Sequence, residues 1–93
     1  MRLMEFSAGW CAPCKVQEPI IRKWAANHPD VKLEIVGVDQ PAGQAKASEY
    51  YIQSVPHLVF LDDKGTVLAA QPGMHDVSRL DALHDQAKRR ITG

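Results

Sequence analysis

The sequence predicts an α/β fold with the element order β-α-β-α-β-β-α, that is, a four-stranded mixed sheet and three flanking helices. Three observations carry this. Arg2 to Ala8 holds a short run, Leu3-Met4-Glu5-Phe6-Ser7, apolar on both faces apart from Glu5 and Ser7, which suits a central strand covered on both sides. Helical segments then alternate with a second apolar run, and a right-handed crossover sets the first two strands parallel. Finally, Asp62-Asp63-Lys64-Gly65 separates two short apolar runs and reads as a hairpin turn.

Each element has a local cause. Gly9 breaks the first strand, and a helix is expected from about Ala12 to Asn27. Pro13 fits its first turn, where a missing N–H costs nothing. Val16, Ile20 and Trp24 recur every four residues and mark a core stripe, flanked by Ile21 and Ala25. Pro19 removes the bond to the Lys15 carbonyl and is expected to kink the axis. His28-Pro29-Asp30 ends the element. The second strand is expected over Val31 to Asp39, and a short Ala-rich helix over Ala42 to Tyr51, after the turn at Gln40-Pro41. The third strand is His57 to Leu61 and the fourth Thr66 to Ala70, antiparallel to it, with Gln71-Pro72-Gly73 as a loop. The last helix runs from an N-cap at Asp76 to Ile91, with Leu80, Leu83, Ala87 and Ile91 on its buried face.

The composition narrows the function. A chain of 93 residues is expected to form one domain over 1–93. The formal net charge is zero, so nothing recommends nucleic acid or an acidic membrane surface as partner. Lys88-Arg89-Arg90 sits where a helix C-terminus favours cations. No segment reaches the ~18 apolar residues of a membrane helix, and no signal peptide follows Met1-Arg2, so a cytoplasmic location is expected.

Cys11 and Cys14 are the only cysteines. They lie at the carboxyl end of the first strand, where α/β sheets place their ligands, and they open a helix. Free N–H groups and the helix dipole stabilise a thiolate there. A thiol one turn later is close enough to form a disulfide, so the pair can shuttle two electrons. The alternatives are inert core thiols, or half of a zinc site, for which no second C-x-x-C or H-x-x-x-H is present. Glu5 is the other chemically pointed residue. A carboxylate in an apolar central strand is costly to bury ionised, so its pKa is expected to rise toward that of a base able to take the Cys14 proton. His57 either tunes the Cys11 thiolate or merely occupies a strand face. His28, His75 and His84 read as loop or solvated helix residues, and Tyr50 and Tyr51 as packing residues.

Met4 to Lys15, with its Trp10-Cys11-Ala12-Pro13-Cys14 core, resembles the thioredoxins. So do Val38-Asp39-Gln40, Ser54-Val55-Pro56-His57-Leu58-Val59-Phe60 and Pro72-Gly73. The resemblance covers nearly the whole chain and implies a thioredoxin-like fold in a short form, lacking the family's usual first strand and helix. It implies a protein-disulfide reductase with Cys11 as nucleophile and Cys14 as resolving thiol, and a cis peptide before Pro56. Trp10, Ala12, Pro13, Val55, Pro56, Gly73 and Met74 would dock the substrate as an apolar patch round an exposed Cys11. It further implies disulfide-containing protein substrates, a thioredoxin-reductase-type electron donor, no cofactor or metal beyond the disulfide, and a monomer. An oxidase or isomerase, a non-catalytic binding module and a metal- or cluster-bridged dimer are the competing readings. Three departures stand out. Glu5 replaces the family's buried Asp, Ser7 replaces a Trp, and Ile35 occupies the place of a Lys on the adjacent strand, while Glu34 points to the other face.

Overall fold

The computed structural model describes residues 1–92. The elements are β1 (Arg2–Ser7), α1 (Ala12–Ala26), β2 (Lys32–Gly37), α2 (Pro41–Glu49), β3 (His57–Leu61), β4 (Val67–Pro72) and α3 (Val77–Thr92), in the predicted order. The strands form one sheet, β2-β1-β3-β4. β1 runs parallel to β2, with Glu5 opposite Ile35, and antiparallel to β3, with Phe6 opposite His57. β4 completes the hairpin with β3.

The central place of β1 explains its composition. Successive strand side chains point to opposite faces. Leu3 packs with Ile21 and Trp24 of α1, Leu58 and Phe60 of β3, and Leu80, Leu83 and Ala87 of α3. Met4 and Phe6 face the other way, onto Val36, Val59, Leu61 and Ala47 of α2. Leu3, Met4, Phe6, Leu58 and Phe60 are fully buried, each contributing roughly 1.5–3 kcal/mol of apolar transfer.

One turn and one helix cap follow their sequence signals. Asp62 accepts the N–H groups of Lys64 and Thr66 at 2.9 Å, and Gly65 supplies the left-handed conformation (φ 85°). Asp76 caps α3 through the Arg79 N–H at 2.9 Å.

Helix α2 approaches β2 closely at Gly43, where an added Cβ would overlap the Gly37 carbonyl oxygen. That oxygen belongs to backbone and cannot swing aside. Gly43→Ala is therefore expected to lower unfolding free energy by about 1–3 kcal/mol in urea titration, despite alanine's higher helix propensity. An unchanged midpoint would show that α2 slides freely over the strand.

Several expectations need correction. The buried face of α1 is Cys14, Gln17, Ile21 and Trp24, and Val16 is 57 % exposed. The true stripe includes a glutamine, so apolar periodicity alone aimed the helix about one residue off. Ile91 is likewise exposed, while His84 lies buried beside Leu83. Its Nε2 meets Asp30 at 2.8 Å and its ring meets Trp24 edge-on, which lets an imidazole sit in the core. Tyr50 packs on Phe6, but Tyr51 is 87 % exposed in the left-handed region. β4 continues through Pro72, so Gln71 and Pro72 belong to the strand: Pro72 pairs with His57 at the sheet margin, where proline is tolerated. β2 is shorter than expected at both ends, while α2 starts one residue earlier than expected, at Pro41, and ends two residues earlier, at Glu49.

Candidate active site

The end of β1 delivers the chain into a tight turn. The Cys11 N–H donates to the Ala8 carbonyl at 3.1 Å, and the Gly9 N–H donates to Asp39 Oδ2 at 2.9 Å, which ties the turn to the end of β2. Cys11 is the N-cap of α1. Its Sγ accepts the Cys14 N–H at 3.2 Å, the bond that a serine or aspartate oxygen makes at most helix starts. Pro13 occupies the first turn as expected. Cys11 and Cys14 are joined as a disulfide, with Cα atoms 5.3 Å apart, inside the range that a disulfide spans without backbone movement.

The expectation of an exposed Cys11 is corrected. Gly9, Trp10, Ala12 and Pro13 are exposed, but Cys11 itself is only 4 % exposed. Bonded to Cys14, it packs with Ala8, Val38 and Val55. The turn projects, while its sulfur tucks beneath it.

Glu5 is fully buried, and neither carboxylate oxygen has a hydrogen-bond partner. Desolvation, with the Glu18 charge adding and Arg22 opposing, raises its pKa from 4.5 to about 7. Glu18 and Arg22 lie on α1 after Cys14, so Glu5 sits beneath the helix that carries Cys14. Its register partner on β2 is Ile35, which supplies no cation. Glu34 turns to the opposite face and pairs with Lys46 at 2.8 Å.

The expected docking residues surround the disulfide in part. The Val55–Pro56 peptide is cis. Pro56 is buried and Val55 half-buried, so neither contributes much open surface. A groove of about 180 Å³ is lined by Trp10, Val38, Ala47, Ile52 and Val55. Trp10 is 73 % exposed and Met74 47 %. Gly73 adopts φ 90° and donates its N–H to the Pro56 carbonyl at 2.8 Å, stitching that loop to the start of β3. His57 occupies a strand position with its Nδ1 buried and unpartnered. Desolvation first, then His75, hold its pKa below the usual histidine value.

Sequence reasoning missed Gln17 and His75. Both are buried, and they are hydrogen-bonded to each other. The available signal was a polar residue three positions after Cys14 on the inner face of α1. A groove of about 550 Å³ lies far along α1 and is lined by residues including Ile20, Trp24, His28 and Val77; no cysteine lines it.

Comparison with known proteins agrees with this geometry. The thioredoxin family model matches residues 1–86. Thioredoxin C-2 of Corynebacterium nephridii is 39 % identical over 84 residues, spanning 90 % of this chain and 76 % of that protein. The thioredoxin of Bacillus subtilis strain 168 is 35 % identical over 81 residues, spanning 87 % and 76 %. Among solved structures, oxidised thioredoxin O2 of Arabidopsis thaliana superposes with a TM-score of 0.78 at 29 % identity, covering 91 % of this chain and 72 % of that one. A mutant thioredoxin of Halobacterium salinarum gives 0.79 at 32 %, covering 92 % and 74 %. A disulfide capping a helix at the end of a central strand, in a chain this similar to thioredoxins, makes one assignment: the chain belongs to the thioredoxin family and is a thiol–disulfide oxidoreductase whose redox centre is the Cys11–Cys14 pair.

Proposed function

We propose that Cys11 is the nucleophile, Cys14 the resolving thiol and Glu5 the base of a protein-disulfide reductase. The observation that carries this is Cys11 Sγ at the N-cap of α1, accepting the Cys14 N–H and bonded to Cys14. In the dithiol form, the Cys11 thiolate gains that N–H and the helix dipole, which lower a thiol pKa from ~8.5. The thiolate attacks one sulfur of a substrate disulfide. A mixed disulfide forms, and the other substrate sulfur leaves as thiolate and takes up a proton. Cys14 gives its proton to Glu5 and attacks Cys11. The Cys11–Cys14 bond forms, and the second substrate sulfur leaves and is protonated. Two electrons and two protons have passed to the substrate.

Pro13 withholds an N–H from the first turn. A less stabilised thiolate favours donating electrons over accepting them, which supports the reducing direction. The exposed Trp10, Ala12, Pro13 and Met74, with the edge formed by Val55, Pro56 and Gly73, provide the substrate surface, where an extended segment can add strand-like hydrogen bonds. A thioredoxin-reductase-type electron donor returns the electrons. This reading takes residues 1–93 as one monomeric domain working in cytoplasmic redox homeostasis and electron transport. No helix among the described residues is long and apolar enough to cross a membrane.

Insulin reduction with dithiothreitol as donor tests the assignment. The parent protein is expected to catalyse it, and Cys11→Ser to leave only the background rate. Equal rates would overturn the catalytic role of Cys11.

A further inference from the structure

We infer that Gln17 is a positioning residue for substrate docking: by clamping the backbone of His75 to α1, it holds the exposed Met74 at a set place on the loop that follows β4. The inference rests on the reductase reading above and deepens it. Gln17 is completely buried on the inner face of α1, where Ile21 and Trp24 would lead one to expect an apolar side chain. Its Nε2 donates to the His75 carbonyl at 2.9 Å, and its Oε1 accepts the His75 N–H at 2.6 Å. A primary amide presents donor and acceptor side by side, so Gln17 satisfies both backbone groups of one residue, as a neighbouring strand would.

The consequence lies one residue earlier. Gly73 is tied by its N–H to the Pro56 carbonyl at 2.8 Å. His75 is tied to Gln17, and its buried ring meets the Gln71 carbonyl through Nε2 at 3.2 Å. Met74, half-exposed, stands between these two anchored neighbours. Both the clamp and Cys14 belong to α1, three positions apart, so one helix carries the disulfide and the anchor of the Met74 loop. Binding a protein to a loop that is already ordered avoids the entropy of ordering it at the encounter. An apolar residue at position 17 would leave the His75 N–H and carbonyl buried and unpaired, and the loop would shift to find water.

The test is Gln17→Met, close in volume and without hydrogen-bonding groups, in the full chain. With insulin as substrate, KM is expected to rise about fivefold with kcat changed less than about twofold. The rate with DTNB, a small aromatic disulfide that needs only the sulfur, is expected to stay at the parent value. In a double-mutant cycle with Met74→Ala, the two effects on KM are expected to be non-additive, since both act through Met74. Should Gln17→Met fail to fold, Gln17→Glu, which keeps the acceptor and loses the donor, is read in the same way. An unchanged KM, parallel losses with insulin and DTNB, or strictly additive effects would overturn the inference while leaving an active parent's reductase assignment standing. A parent inactive on insulin would overturn both.

Discussion

Cys14→Ser will leave the protein able to attack a substrate disulfide and unable to release it. Cys11 keeps its place at the N-cap of α1, although the bond it accepts comes from the backbone of residue 14 and not from the lost sulfur. The attack therefore proceeds. Resolution needs a second thiol, and the chain has only two cysteines. Insulin is expected to accumulate as a mixed disulfide with Cys11, seen as a band on a non-reducing gel that dithiothreitol dissolves. Turnover is expected to fall to background. Stability changes too. The loop-closure relation gives about 2 kcal/mol for so short a ring, so the oxidised parent should lose about that much on reduction. The Cys14→Ser protein should show no such dependence on reductant. Turnover at the parent rate in Cys14→Ser would remove the resolving step from this residue.

Glu5→Gln should change the pH dependence of both stability and rate. The folded pKa of Glu5 is raised from 4.5 to about 7 by burial, so the folded state holds a proton that the unfolded chain releases. Stability from this group is fully present below pH 4.5 and is lost as pH rises through about 7. Above that, the parent carries an ionised carboxylate with neither oxygen bonded. The loss is about 2–3 kcal/mol. Glutamine has no such titration. The stability of Glu5→Gln relative to the parent is therefore expected to increase between about pH 5 and pH 8, whatever constant offset its amide adds. Urea melts across that range measure the difference. In stopped-flow experiments, release of product from the mixed disulfide should slow at neutral pH, because the Cys14 proton has lost its acceptor. A flat stability difference would mean that Glu5 is solvated in solution, and an unchanged release rate would take the proton-transfer role from it.

Much of this was legible in local patterns. The β1 run is apolar on both faces because helices cover both, and that pattern survives in sequence. The Asp62–Gly65 turn and the Asp76 cap are made by side chains bonding to backbone within four residues, so short-range chemistry specified them. The redox pair was visible for the same reason, since both sulfurs lie on one helical turn. Ile35 was placed opposite Glu5 through the resemblance, and the parallel register confirms the pairing.

What stayed hidden depends on partners far apart in the chain. Gln17 and His75 are 58 positions apart, and neither reads as a core residue until the other supplies its hydrogen bonds. His84 is comparable, needing Asp30 to be buried. Val16 and Ile91 are apolar but exposed, because the rotation of a helix is set by everything it packs on. The amino-acid order by itself determined the elements, the two thiols at a helix start and the carboxylate in a central strand, since each follows from backbone preference or from neighbours within a turn. Only the assembled tertiary structure decided which face of each helix turns inward, that Cys11 lies covered, and which buried polar groups find partners, because solvent exclusion and long-range pairing exist only once the layers have closed.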